Sequence, residues 1–519
     1  MKKLILLLIT ILSITSCSEA VEAERIPLTS SSEEAKVLLN QVLVNWEERN
    51  WGDHQEVLLK KIDSLDPNFY VSNMFWGNIR SGEESRLALI NSYNNLDKVS
   101  EIEAGIIKAN YERRINGSAI KQDEIFDALI LKYPQYYQLR LWSGDVKSRI
   151  DPFSAEKRWK EAAEINPDSF DAYFSLSTLH FSIDVNDGIF APEDRDLKEA
   201  EAHLFKSSDL RPKSDVPYRF LGNVYRAMGD FEKAEEAYKK SLSMLVNKTT
   251  SRYANSLLMV GHVSTFQGKY DEGRSFYDQA LTLSDEYGKV SYSILKSHTY
   301  IYQKDFANAV STISEAQSKI DSYDIPETDK LWLKNSSEFA KFLAFGHSQK
   351  EEETIGSINE MNLIRSEILK IRLASALDEE QKERLTLNNK ANSMSFDVWF
   401  NILFGKYETA RELMIDFSAL SEKRLTYNAK AMNQYNSLSG YLNLMEGEPQ
   451  EAINSYAKVP KEALGDDNYH QYFLALANKA VGKEEESKKM FIDLANNNFA
   501  SWENSIVKNL AKAQIKTNL

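Results

Sequence analysis

Seven histidines and one cysteine have the widest chemical range of any residues in this 519-residue chain, and their spacing limits what they can do. A zinc site needs Cys and His ligands in closely spaced pairs. The single cysteine, Cys17, stands near the N-terminal end, so neither that spacing nor an internal disulfide exists. His180 and His203 can approach across one predicted hairpin, but a pair alone is not a site. Gly346-His347-Ser348 lacks the turn glycine after serine that a nucleophile elbow needs, and His347 reads as a surface histidine. The insert with Asp184, Asn186, Asp187, Gly188, Glu193 and Asp194 is acidic. Its glycine comes one place early for a calcium loop and no bidentate Glu closes it, so it reads as an ordinary loop. No His-Glu-x-x-His, Walker loop or dinucleotide fingerprint occurs. The expectation is a chain with no catalytic residues, no metal and no cofactor.

The elements that carry these residues are helical. Gly 20 and Pro 11 are low counts for the length, and β-branched alternation is scarce. Sixty-three basic and 77 acidic residues leave a formal charge of −14, which repels phosphate backbones and excludes nucleic acid as a partner. The clearest pattern is Tyr218, Leu221, Gly222, Tyr225, Gly229, Ala234, Tyr238, Leu242. Apolar and small residues recur there at three or four, on one face of a helix. Gly229-Asp230 breaks the pattern and a second periodic segment starts at once. Neither helix can bury its stripe alone, so the unit must stack on copies of itself. A chain of this length either splits into domains or runs as a long array.

Copies are present. Pro134 to Pro167 is 33 residues, and Pro67, Pro134, Pro167 and Pro212 each follow an apolar stripe that proline would end. Gly261, Gly268, Tyr277 and Ala280 repeat the pattern, as do Gly440, Gly447, Ala452 and Tyr456. The whole resembles the tetratricopeptide repeat, whose period is about 34 residues. That resemblance implies an all-α solenoid of stacked helical hairpins in a right-handed superhelix. It is organised as an array over 36–325, an irregular helical segment over 326–392, and a second array over 393–519 that ends in a capping helix. Small residues let neighbouring helices approach, and most of the aromatics fill the gaps between them as core.

In the tetratricopeptide family the first helix of each hairpin lines a concave groove. Carried onto this sequence, the groove residues are Arg219, Asn223 and Arg226, then Leu258, His262 and Phe266, then Ile294, His298 and Tyr302. His262 and His298 lie 36 residues apart, in equivalent places, and should stack on one wall. Arg219 and Asn223 match the start of the family's carboxylate clamp; His262, Ile294 and His298 depart from it. The expected ligand is therefore an extended or helical peptide in a mixed groove.

The first 17 residues read Lys2-Lys3, an apolar run from Leu4 to Leu12, then Ile14-Thr15-Ser16-Cys17. This resembles the bacterial lipoprotein signal, most closely that of Bacteroidetes. The resemblance implies a signal over 1–16, lipidation at Cys17 and a flexible tether over 17–35. Ser18-Glu19 is not the enteric inner-membrane retention signal, which points to the outer membrane. The expected function is a lipid-anchored scaffold that binds protein or peptide partners in the cell envelope. A glycan-binding SusD-like lipoprotein is the alternative. It shares the size, the anchor and the embedded helices, but this sequence lacks that family's long Gly/Pro/Asn-rich loops.

Overall fold

The computed structural model describes residues 23–50, 53–76, 83–148, 150–181, 190–376 and 378–516. The signal segment and Cys17 lie outside these residues. Among them every regular element is helical. The N-terminal pairs are α1 (Glu33–Glu47) with α2 (Asp53–Leu65), α3 (Asn73–Trp76) with α4 (Glu83–Tyr93), α5 (Glu101–Arg114) with α6 (Ala119–Lys132), α7 (Tyr137–Lys147) with α8 (Pro152–Ile165), and α9 (Phe170–Thr178) with α10 (Leu197–Leu210). The middle pairs are α11 (Val216–Met228) with α12 (Phe231–Met244), α13 (Ser251–Phe266) with α14 (Tyr270–Leu283), and α15 (Glu286–Tyr302) with α16 (Phe306–Gln317). Longer helices follow: α17 (Glu327–His347), α18 (Glu351–Ala374), α19 (Glu379–Leu403) and α20 (Tyr407–Arg424). The chain ends with α21 (Ala431–Met445), α22 (Pro449–Tyr456), α23 (Lys461–Asp466), α24 (Asn468–Ala480), α25 (Glu484–Asn496) and α26 (Trp502–Lys516).

Local chemistry sets these boundaries. Ser100 and Glu103 form a reciprocal capping box at the start of α5. Asp151 caps α8, with Pro152 in the first turn where its missing N–H costs nothing. Gly229 ends α11 at φ 76, a left-handed conformation that glycine adopts without strain. Its backbone N–H bonds the Arg226 carbonyl, and Asp230 then caps α12.

The stacking runs unbroken. α16 packs on α17, α18 on α19 and α20 on α21. The stretch read as irregular over 326–392 is therefore one long hairpin, α17–α18, and the start of a second, α19–α20, in the same stack. Its stripe escapes motif reading because the buried positions of α18 are Thr354, Ser357, Ile358, Met361, Ile364 and Ile368, with no glycine or alanine notch among them.

A repeated steric device locks the pairs. A Cβ on Gly222 would lie 2.3 Å from the Tyr238 ring, and one on Gly440 would lie 2.7 Å from Tyr456. Gly144 faces Trp159 in the same way, and Gly261 faces Tyr277. Each ring belongs to the second helix of its pair and fills a notch that only glycine leaves on the first.

One expectation is corrected here. Residues 23–32, assigned to the flexible tether, are fixed against the concave side of the N-terminal pairs. Arg25 pairs with Glu47 at 2.6 Å and donates to the Tyr137 hydroxyl at 2.9 Å. The Ile26 N–H donates to Gln138 Oε1 at 2.9 Å, and the Thr29 N–H to Glu103 Oε1 at 2.8 Å. Ser30 Oγ and the Ser31 N–H both donate to Asp66. Ile26 is buried in the core. The polar composition that suggested a tether instead supplies donors to carboxylates and amides on three helices.

Gly222→Ala should destabilise the protein. The crowding costs about 1–3 kcal/mol, which outweighs the gain of about 1 kcal/mol in helix propensity. Gly356→Ala should do the opposite, because nothing lies within 4 Å of its added methyl. Urea denaturation midpoints that move the same way in both variants would contradict the notch.

Candidate functional site

The nine groove residues do not form an open trough. On α11, Arg219 donates to Asn255 Oδ1 at 3.1 Å, Asn223 accepts from the Tyr238 hydroxyl at 2.7 Å, and Arg226 is buried. On α13, His262 Nδ1 lies 2.6 Å from the Tyr277 hydroxyl, Leu258 sits in a core cluster, and Phe266 is buried. On α15, Ile294 packs against Val290, Ile320 and Leu333, turned away from the groove. His298 and Tyr302 are buried. The structure does bring His262, Phe266, His298 and Tyr302 together around one small cavity.

The chain's own C-terminal segment closes that cavity. Ala500 and Ser501 complete its wall. Asn498 Nδ2 donates to the Arg226 carbonyl at 3.0 Å, and Asn509 Nδ2 donates to the Tyr302 carbonyl at 2.9 Å. Lys508 Nζ stands 5.5 Å from the Phe266 ring centre and donates to Ala495 O, Asn497 O and Asn498 Oδ1. Burial pushes the His298 imidazole down to about 4 and holds His262 well below its ordinary value. Both rings are neutral at pH 7, so the two histidines supply no cationic clamp. The expected peptide groove over α11–α15 is thus an internal docking surface.

A second self-contact lies further back. At the α1–α2 corner, Arg49 pairs with Asp171 and donates to Ser175 Oγ at 3.0 Å. Glu48 pairs with Arg211, and Asn50 accepts from Arg252 at 3.3 Å.

The open part of the concave face is in the N-terminal pairs. A cleft of about 560 Å³ is lined by Trp46, Phe75, Asn110, Arg113, Arg114, Gln122, Trp142 and Asp145, from α1, α3, α5, α6 and α7. Arg114 is held by the Met74 carbonyl and the Ser85 hydroxyl, and burial lowers its pKa. The extended residues 25–29 cross the same helices, through Glu47, Glu103 and Gln138. Trp46 and Trp142 are only half-buried. Both stand on the first helix of their pair, at positions that the periodicity cannot tell from core.

Other candidates resolve plainly. Glu199 stands between His180 and His203, at 3.8 and 3.5 Å. Among the described residues no group of three His, Cys, Asp or Glu could hold a metal ion. His347 is half-buried against Tyr469, and burial pushes it to about 4; it is not a surface histidine, because α24 covers it. Of the acidic insert, Asp184, Asn186, Asp187 and Gly188 lie outside the described residues, and Glu193 pairs with Lys461 at 3.1 Å.

The sequence profile of the Tetratricopeptide repeat matches residues 218–244 and 254–287. The fold is an all-α tetratricopeptide solenoid. Among solved structures, a tetratricopeptide repeat protein from Parabacteroides merdae aligns at 16% identity and a TM-score of 0.34, over 52% of this chain and 98% of that one. The Cut9–Hcn1 hetero-tetramer of the APC/C aligns at 14% identity and a TM-score of 0.35, over 86% of this chain and 76% of that one. The P58(IPK) TPR domain aligns at 13% identity and a TM-score of 0.21, over 74% of this chain and 99% of that one. No curated protein matches the sequence.

The docking of α26 on the tetratricopeptide groove carries a pH signature. Burial pushes the Glu503 carboxyl from 4.5 up to about 7, with Asp467 adding to the rise and the Ser501 hydroxyl opposing it. The folded chain therefore holds this proton more tightly than the unfolded chain. The stabilisation is complete below about pH 4.5 and is lost as pH rises through 7. Glu503→Gln should remove that dependence and strengthen the docking at pH 8. Hydrogen exchange across 502–516 at pH 5 and pH 8 reads it; an unchanged pH slope in the variant would count against it.

Proposed function

We propose that this chain is an interaction scaffold of the bacterial cell envelope, tethered by a lipid on Cys17, that takes a protein or peptide partner in the cleft between α1, α5 and α7. One observation carries the reading. The concave side of these helices already holds an extended polypeptide, residues 25–31, through side-chain acceptors that pair with its backbone N–H groups. Stacked tetratricopeptide hairpins present such surfaces by construction. The adjoining cleft adds half-buried indoles and amide groups, the mixture that anchors polypeptides. No catalytic role is proposed.

The lipid reading has a geometric consequence. Among the described residues no helix is long and apolar enough to cross a membrane. Ala23 is already packed against the fourth hairpin. Six residue steps from Cys17 reach at most about 20 Å, so a lipid there would hold the N-terminal hairpins close to the bilayer. Two or more acyl chains anchor stably where one does not. Outer-membrane placement and a Bacteroidetes-like origin belong to the same proposal.

Two measurements test it. A photo-crosslinker at Asn110 in the full chain, expressed in its native cell, should capture a partner. Trp46→Ala with Trp142→Ala should cut that capture at least about tenfold, the loss expected of truncated aromatic anchors, with the melting temperature of the array retained. Equal capture would reject the cleft. Cys17→Ser should move the chain from the membrane fraction to the soluble one; unchanged sedimentation would reject the anchor.

A further inference from the structure

A polar cavity of about 330 Å³ lies at the seam where the loop after α25 meets α11. Asn223 and Arg226 line it from the middle array, Asn468 and Asp493 from the C-terminal helices, and Arg195 from the segment before α10. Arg226 is the anomaly. Only 5% of it is exposed. Its Nη1 is buried without a hydrogen-bond partner, and no carboxylate pairs with its guanidinium among the described residues. Its Cζ lies 5.8 Å from the centre of the Phe266 ring. A buried, unpaired cation is among the costliest features a fold can carry.

The neighbouring amides point the same way. Asn223 uses its oxygen for Tyr238, and Asn468 uses its oxygen for Asn497. Among the described residues neither Nδ2 has an acceptor. Three donors without a protein acceptor among the described residues thus line one cavity, beside the Asn496–Asn498 amides and Asp493. The single carboxylate among the described lining residues, Asp493, is pushed up by burial, with Lys489 opposing the rise. The volume is that of a molecule of roughly ten heavy atoms, at about 30 Å³ of liquid volume per water-sized group.

We propose that this seam cavity binds a small monocarboxylate with a polar body, of amino-acid or sugar-acid size, paired to the Arg226 guanidinium and hydrogen-bonded by Asn223 and Asn468. A guanidinium and a carboxylate match in shape, with two parallel N–H···O bonds. The site is separate from the cleft between α1, α5 and α7. It joins elements more than two hundred residues apart in sequence, so a bound carboxylate tightens the closure of the C-terminal segment onto α11.

The test uses the purified full chain in thermal melts and titration calorimetry with four probes: L-glutamine, D-glucuronate, D-glucose and inorganic phosphate. Glutamine or glucuronate should raise the melting temperature with concentration, as ligand linkage requires, and which of the two does so identifies the body. Glucose and phosphate should not. Arg226→Met should weaken the carboxylate about ten- to a hundredfold while leaving the ligand-free melting temperature equal or higher, since the unpaired charge is gone. Asn223→Asp, one turn from Arg226, keeps an acceptor for Tyr238 and supplies an internal counter-ion. It too should abolish binding and raise the ligand-free melting temperature. The assignment is overturned if no carboxylate shifts the wild-type melt, if glucose or phosphate shifts it more, or if both variants respond to the carboxylate as the wild type does.

Discussion

The contact on which this structure depends is an aromatic ring seated in a glycine notch. Trp159 against Gly144, Tyr238 against Gly222, Tyr277 against Gly261 and Tyr456 against Gly440 are four copies of one arrangement. The ring excludes water from the hairpin, and the missing side chain sets how closely the two helices approach. The ring also reaches through to the far side of the first helix. The Tyr238 hydroxyl bonds Asn223, and the Tyr277 hydroxyl meets His262. Both partners sit one residue after their glycine. The packing device therefore occupies the residues that would otherwise face a ligand.

With those positions engaged, the concave face becomes a surface on which the chain can dock itself. Residues 25–31 lie on α1, α5 and α7; the α1–α2 corner reaches α9 and α13; residues 498–509 lie on α11 and α15. These contacts are polar and directional, carboxylate or carbonyl to amide, which suits a face built from first-helix side chains rather than core. Each is worth about 1 kcal/mol net. Closure over such long separations adds only slowly to the entropic cost, so a modest set of hydrogen bonds suffices once α26 has its own apolar support. Trp502 supplies that support, 5.6 Å from Phe339 and 5.5 Å from Trp399.

This division explains which features could be read from sequence. Periodicity reports the buried stripe of a helix and therefore gave the hairpins around Gly222, Gly261 and Gly440, where ring and notch recur at a fixed spacing. It failed over 326–392 because α18 buries Thr354 and Ser357, small polar residues that look solvated, and because α17 to α19 are longer than the paired helices of the clear repeats. It placed His262 and His298 on one wall, but it could not show that the wall is covered. The covering residues are 272 positions away in the case of Asn498 and Arg226, and no local pattern encodes a contact at that separation. The segment 23–32 misled for a related reason. Serine, threonine and arginine look like linker until the acceptors, Glu47, Asp66, Glu103 and Gln138, are seen to be waiting on other helices.

The same physics bears on the recognition proposed for one end of the array. A partner seeking the α11–α15 wall must first displace α26. It would expose Trp502 and break the Asn498 and Asn509 hydrogen bonds to the Arg226 and Tyr302 carbonyls. Its observed affinity would fall by the fraction of chains already open. It would then meet neutral imidazoles and a tyrosine hydroxyl already engaged. At the cleft between α1, α5 and α7, residues 25–31 already run alongside on the same helices. Trp46 and Trp142 are half-buried before any partner arrives, and Arg114 is pinned to Met74 and Ser85. A preorganised surface keeps the binding energy that a covered one spends on opening. Where self-docking has closed a concave face, the remaining open stretch is where an external polypeptide gains most.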